Sequence, residues 1–161
     1  MADLNNLLSP LFLSEKEIRK IIELMFFAYR DFTAGPDAFL EKRNFGRAHH
    51  RIIYFVSKKE KITIKELLSI LQITKQSLSR VLNQLVKEKY IILSTGDDKR
   101  TKNLSLTKKG HELESELSTI QIKKIKNILK NTNENNISGF KTLLYEMIDD
   151  INKIKFDKLN C

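Results

Sequence analysis

From Ser14 onward the chain sets apolar stripes at helical spacing between short polar breaks. Ser14-x-x-Glu17 reads as a capping box with Leu13 and Ile18 at its staple positions. Ile18, Ile22, Met25, Tyr29 and Phe32 follow at intervals of three and four. Ala34-Gly35-Pro36-Asp37 is expected to break or bend that helix. A second helix is expected from Arg47 to Lys58, with His49, Ile52, Ile53 and Val56 on one face. Thr63-x-x-Glu66, with Ile62 and Leu67 at the staple positions, opens a short third helix that stops near Gln72. Its inner face is Ile64, Leu67, Leu68 and Leu71. Thr74 caps a fourth, whose stripe is Leu78, Val81, Leu82, Leu85 and Val86.

After Lys89 the period changes. Tyr90-Ile91-Ile92-Leu93 reads as a strand, Gly96-Asp97-Asp98 as a turn, and Asn103-Leu104-Ser105-Leu106 as the returning strand of a hairpin. Thr107 caps a helix to about Lys130 whose apolar positions fall on two faces. Leu113, Leu117 and Ile120 form one, and Ile122, Ile125 and Leu129 the other, so this helix touches two things. A polar break over Asn131–Asn136 precedes a last helix with Ile137, Phe140, Leu144, Met147, Ile151 and Ile154 in a heptad seam, which seeks a partner helix. The fold class expected is mostly α with a small β-hairpin.

Charge sharpens this picture. The net charge is +9, and Gly46 to Gly110 carries 15 Lys/Arg against 5 Asp/Glu, or +10, leaving −1 for the flanks. Clustered positive charge is the footprint of a polyanion binder. Two short helices in tight succession, the second with a basic outer face, form a helix-turn-helix, and the charged hairpin after them makes it winged. Such a helix fits the major groove, and a basic hairpin reaches the minor groove or the backbone. On the outer face of the fourth helix, Arg80 has only solvent or DNA to meet. Gln76 and Asn83 are placed to read adenine or to touch phosphate, Lys75, Ser79 and Lys87 to contact phosphate, and the cap Thr74 belongs to the same DNA-binding set. Lys99, Arg100 and Lys102 lie on the hairpin.

Thr74-Lys75-Gln76-Ser77-Leu78-Ser79-Arg80-Val81-Leu82, then Asp98-Lys99-Arg100, then Leu104-Ser105-Leu106-Thr107-Lys108-Lys109-Gly110 resembles the MarR family of bacterial regulators. The wing pattern, Asp-x-Arg then Leu-Thr-x-x-Gly, is the most specific mark, and Gly46-Arg47-Ala48-His49-His50-Arg51 looks most like the PetP branch. The resemblance covers the order of elements from the Ser14 helix to the C-terminus. It implies a homodimer whose first and last helices intertwine through Ile18, Ile22, Met25, Tyr29, Ile137, Phe140, Leu144, Met147, Ile151 and Ile154. It also implies a recognition helix, Thr74–Glu88, in the major groove, Arg100 in the minor groove, and Asp98 stabilising the wing by ion pairing. The organisation expected is an N-terminal dimerisation region over 1–45, a winged helix-turn-helix lobe over 46–110 and C-terminal dimerisation helices over 111–161. The function implied is a site-specific regulator of double-stranded DNA, a repressor on a pseudo-palindromic operator, released by a small-molecule effector. The chain departs from many members in having Gly96-Asp97 rather than a basic residue before Asp98.

Other classes fall away. No glycine-rich phosphate loop or catalytic triad motif is present, so no enzyme is expected. No cofactor is expected. A metal site is not expected either: the adjacent His49 and His50 point about 100° apart on a helix, and Cys161 is the single cysteine. The apolar runs are too short for a membrane span and the first residues lack a secretory pattern, so a cytoplasmic protein without membrane partners is expected. The competing reading is a basic helical adaptor for an acidic protein or a membrane surface. It has no use for a polar hairpin directly after a basic helix.

Overall fold

A computed structural model of the chain describes residues 14–96 and 98–160; Leu13, Asp97 and Cys161 lie outside the described residues. Two compact units divide the chain, one up to Gly35 and one from Pro36 onward.

Helix α1 (Glu15–Glu41) starts in the first unit, its residues from Pro36 on belong to the second, and it begins where the Ser14 carbonyl accepts from the amides of Glu17 and Ile18, each at 3.0 Å. Ile18, Ile22, Met25 and Tyr29 are all exposed, as are Phe26 and Phe27. Of the break or bend expected at Ala34–Asp37, the break is corrected: α1 continues through Pro36. Proline removes one helical hydrogen bond, but here its ring is fully buried and Leu40, one turn on, is also fully buried. Apolar burial at both positions outweighs the local breaker.

The second unit carries the remaining elements: α2 (Arg47–Lys58), β1 (Ile62–Thr63), α3 (Ile64–Leu71), α4 (Lys75–Lys87), β2 (Ile91–Thr95), β3 (Lys102–Leu106), α5 (Lys108–Leu129), α6 (Glu134–Glu146) and α7 (Asp150–Asn160). The strands form an antiparallel sheet in the order β1-β3-β2. Ile62 pairs with Leu104, which pairs with Leu93. The core lies between this sheet and α2 to α5. Ile52, Ile53, Ile62, Leu67, Leu78, Leu85, Leu104 and Leu117 are fully buried or nearly so. The C-terminal half of α5 leaves Ile122, Ile125 and Ile128 exposed.

Threonine caps start three of these helices. Thr63, Thr74 and Thr107 each accept the amide three residues on, from Glu66, Ser77 and Gly110 at 3.0–3.1 Å. The joints between elements turn on left-handed residues that are not glycine: Asn44 (φ 55°), Lys61 (57°), Gln72 (51°) and Lys89 (63°).

The single C-terminal helix expected from the heptad seam is corrected to two. α6 ends with Met147 as its cap, and α7 starts at Asp150. The Asp149 carbonyl accepts from Asn152 and Lys153 at 2.8 and 2.9 Å, so a new first turn opens there. α7 is held against α6 by Tyr145, whose hydroxyl donates to Asp157 at 3.1 Å and whose ring meets Phe156 edge-on. Seam residues Ile137, Phe140, Leu144 and Met147 therefore belong to α6 and its cap, and Ile151 and Ile154 to α7. All but the half-buried Ile137 are exposed. From α7, Lys155 donates to the Ser69 carbonyl at 2.9 Å, and Asn152 accepts from Gln72 at 2.7 Å.

Candidate nucleic-acid interface

The site begins at the start of α3. The Glu66 carboxylate accepts from the Thr63 amide and hydroxyl, each at 2.8 Å, and pairs with Lys59. The Lys59 hydrogen bond, then that of the Thr63 backbone, pulls the Glu66 carboxyl down from 4.5 to about 2. This closed capping box fixes where α3 starts. Its end is fixed by Gln72, whose left-handed backbone lets its amide donate to the Leu68 carbonyl at 2.9 Å. Two residues later Thr74 caps α4, its hydroxyl also donating to Ser77 Oγ at 2.9 Å. The turn between the helices is thus bounded by a left-handed residue and a threonine cap.

α4 is sharply two-sided. Leu78, Val81, Leu82 and Leu85 are buried. Lys75, Gln76, Ser79, Arg80, Asn83 and Lys87 are exposed, as is the cap Thr74. The helix contains no acidic residue. Among the described residues no salt bridge engages Lys75, Arg80 or Lys87. A row of unneutralised cations beside amide and hydroxyl groups can bond phosphate oxygens and base edges alike.

The wing is the β2–β3 hairpin, in register from Ile91 opposite Leu106 to Thr95 opposite Lys102. Its tip is tied by backbone and short side chains. Gly96 donates to the Thr101 carbonyl at 3.1 Å, and the Asp98 carbonyl accepts from the Thr101 amide and hydroxyl at 2.8 Å. A Cβ on residue 96 would come within 2.2 Å of the Thr101 hydroxyl oxygen, so any larger residue there would have to displace that hydroxyl from its bond to the Asp98 carbonyl. Asp98 Oδ1 accepts from the Arg100 amide at 3.0 Å. Asp98 holds the turn through the backbone, and among the described residues it makes no ion pair. The Arg100 guanidinium is left exposed, as are Lys99 and Lys102.

The structure gathers the sequence-selected residues at two places, the outer face of α4 and the tip of the wing. It adds one feature that sequence reading left out: His49, on α2, bonds to Gln84 on α4. Among the described residues no cluster of three or more His, Cys, Asp or Glu side chains could hold a metal ion. No helix among them is long and apolar enough to cross a membrane.

Two short helices with a capped turn, an acid-free outer face and a β-hairpin wing on a three-stranded sheet define a winged helix-turn-helix. Residues 44–101 match the model of the MarR family. The chain is 43% identical over 140 residues to the HTH-type transcriptional regulator PetP of Rhodobacter capsulatus, covering 86% of this chain and 84% of that one. It is similar in fold to Streptococcus pneumoniae FabT in complex with DNA (TM-score 0.73, 19% identity, 81% and 94% of the two chains). It is also similar in fold to the S. aureus MepR–DNA complex (TM-score 0.66, 20% identity, 78% and 93%). The chain belongs to the MarR family, a family of transcriptional regulators and not of enzymes.

Proposed function

We propose that the chain binds a pseudo-palindromic operator as a homodimer and represses transcription from it, with α4 in the major groove and the wing in the minor groove. The observation that carries this reading is the outer face of α4, where exposed Lys75, Arg80 and Lys87 form no salt bridge among the described residues. Arg80, Gln76 and Asn83 are assigned to base edges, and Thr74, Lys75, Ser79 and Lys87 to phosphates. Arg100 enters the minor groove, with Lys99 and Lys102 on the flanking backbone. Two similar folds, FabT and MepR, are solved with DNA, which supports the assignment.

The homodimer is supported by apolar surface that a lone chain leaves wet. Ile18, Ile22, Met25 and Tyr29 on α1 are exposed, and so are Phe140, Leu144, Met147, Ile151 and Ile154 on the C-terminal helices. Large exposed apolar patches mark protein interfaces. A second copy covers both sets and presents two reading heads to half-sites about one helical turn apart. Release by a small-molecule effector, and work in the cytoplasm where the DNA lies, complete the reading.

The test is fluorescence anisotropy against the chain's own upstream intergenic DNA and a scrambled duplex, across a salt series. Tight binding to the upstream duplex, with affinity falling linearly on a log–log salt plot, is the expected result. A transcription assay on the same fragment then reads repression. Equal, weak binding to every duplex offered, including pools enriched on the protein, overturns the reading.

A further inference from the structure

The buried stripe of α4 sets how deeply the helix sits, but apolar contact has no direction of its own. A directional bond crosses from α2 to the same helix: His49 Nε2 and Gln84 Oε1 are 2.9 Å apart. The tautomer follows from the neighbours. His49 Nδ1 accepts the Gly46 amide at 3.0 Å, so the proton sits on Nε2 and is donated to Gln84. The imidazole is itself held in place. It is buried, and it stacks on Phe45 with ring centroids 4.5 Å apart and planes 12° apart. Phe45 in turn meets Tyr90 edge-on at 5.2 Å. Gln84 Nε2 donates to Glu88 at 3.0 Å, which leaves the amide oxygen to face the histidine.

We infer that His49 and Gln84 are positioning residues that fix the rotation of α4 about its axis, and so set sequence discrimination without touching DNA. The inference rests on the reading that α4 enters the major groove. Side-chain tips on a helix lie about 6 Å from its axis, so a rotation of about 10° moves them about 1 Å. A base-reading hydrogen bond holds over a window of roughly 0.5 Å, whereas long lysines reach a phosphate from many angles. Slack in the His49–Gln84 link therefore costs base readout before it costs backbone binding.

The experiment uses the full-length protein and a duplex enriched by it from a random pool, beside a scrambled duplex. Gln84→Met keeps the bulk and removes the acceptor. It is expected to lower the ratio of selected to scrambled affinity about tenfold, within the range of one lost base contact, with scrambled affinity and salt slope unchanged at a temperature where the variant is fully folded, even as the unpaired His49 Nε2 proton lowers its melting temperature. His49→Asn, which still accepts the Gly46 amide but does not reach Gln84, is expected to do the same, and the two together no more than either alone. Gln84→Glu with Glu88→Gln swaps the two groups, keeps an acceptor for His49 and a partner for it on the next turn, and is expected to restore the ratio. An unchanged ratio in Gln84→Met, or an equal loss on both duplexes, overturns the inference while the DNA-binding reading stands. Failure of the unsubstituted protein to enrich any duplex overturns both.

Discussion

Gly110 closes the Leu-Thr-x-x-Gly run, and the structure explains why a glycine stands there. It lies in the first turn of α5, beside the start of β2. A Cβ at this position would fall 2.2 Å from the Tyr90 carbonyl oxygen and 3.2 Å from Leu106 Cβ. A carbon rests comfortably about 3.3 Å or more from a carbonyl oxygen, so Gly110→Ala obliges α5 and β2 to part by about 1 Å. That oxygen also accepts from the Thr107 amide at 3.0 Å, and more weakly from its hydroxyl at 3.3 Å. Overpacking of this kind costs roughly 1–3 kcal/mol, and a stretched backbone hydrogen bond adds about 0.5–1.5 kcal/mol. The better helix propensity of alanine returns about 1 kcal/mol. The net expectation is a loss of about 2 kcal/mol. Gly139 in α6 is the internal control. A Cβ there meets nothing within 4 Å, and the residue lies roughly opposite Ile137 and Leu144 on the helix. Gly139→Ala should therefore gain up to about 1 kcal/mol. Urea unfolding of both variants at one protein concentration reads the difference. Midpoints moving in opposite directions support the packing argument; a Gly110→Ala variant as stable as the parent refutes it.

Arg100→Ala should weaken operator binding at least about fivefold and leave the melting temperature alone, since the exposed guanidinium makes no salt bridge among the described residues; anisotropy and differential scanning calorimetry check the two halves. Arg80→Ala should cost roughly 1–3 kcal/mol on the operator with relaxed preference at one base pair, and an equal loss on all sequences would demote it to a phosphate contact. Glu66 holds its folded-state pKa near 2 against an ordinary 4.5, so the stability it contributes is present above about pH 4.5 and fades as pH falls toward 2. Glu66→Gln should lower stability at neutral pH and flatten that acid limb, as measured by thermal unfolding across pH 2–7. Ile22→Asp should weaken self-association by at least about tenfold in sedimentation velocity, because it puts a charge where a partner's apolar surface is proposed to close.

Legibility followed the reach of the interactions. The caps at Thr63, Thr74 and Thr107 were readable because each is settled within four residues, and with them came the starts of α3, α4 and α5. The two faces of α4 were readable for the same reason. Pro36 misled because the rule for proline is local, while the burial of its ring and of Leu40 depends on the fold. The heptad seam misled differently: Ile137 to Ile154 keeps its spacing across a backbone that reopens at Asp149, and a count of residues does not register a break that preserves the count. β1 is two residues long and exists only because Asn103 and Leu104, some forty positions away, pair with it. The His49–Gln84 bond spans 35 positions. His49 was readable as a residue on an apolar face, its partner was not.

The four left-handed joints have a consequence of a different kind. Asn44, Lys61, Gln72 and Lys89 stand between α1 and α2, α2 and β1, α3 and α4, and α4 and β2. A side chain in that conformation costs roughly 1–2 kcal/mol, while glycine there would cost about 0.5–1 kcal/mol in lost freedom on folding. The side chains give up a little stability and gain stiffness. By turning its corners on residues with side chains, the lobe narrows the conformations its joints can sample before any ligand arrives. α4 and the wing are therefore presented already ordered, and on the proposed reading less entropy remains to be lost when DNA is bound.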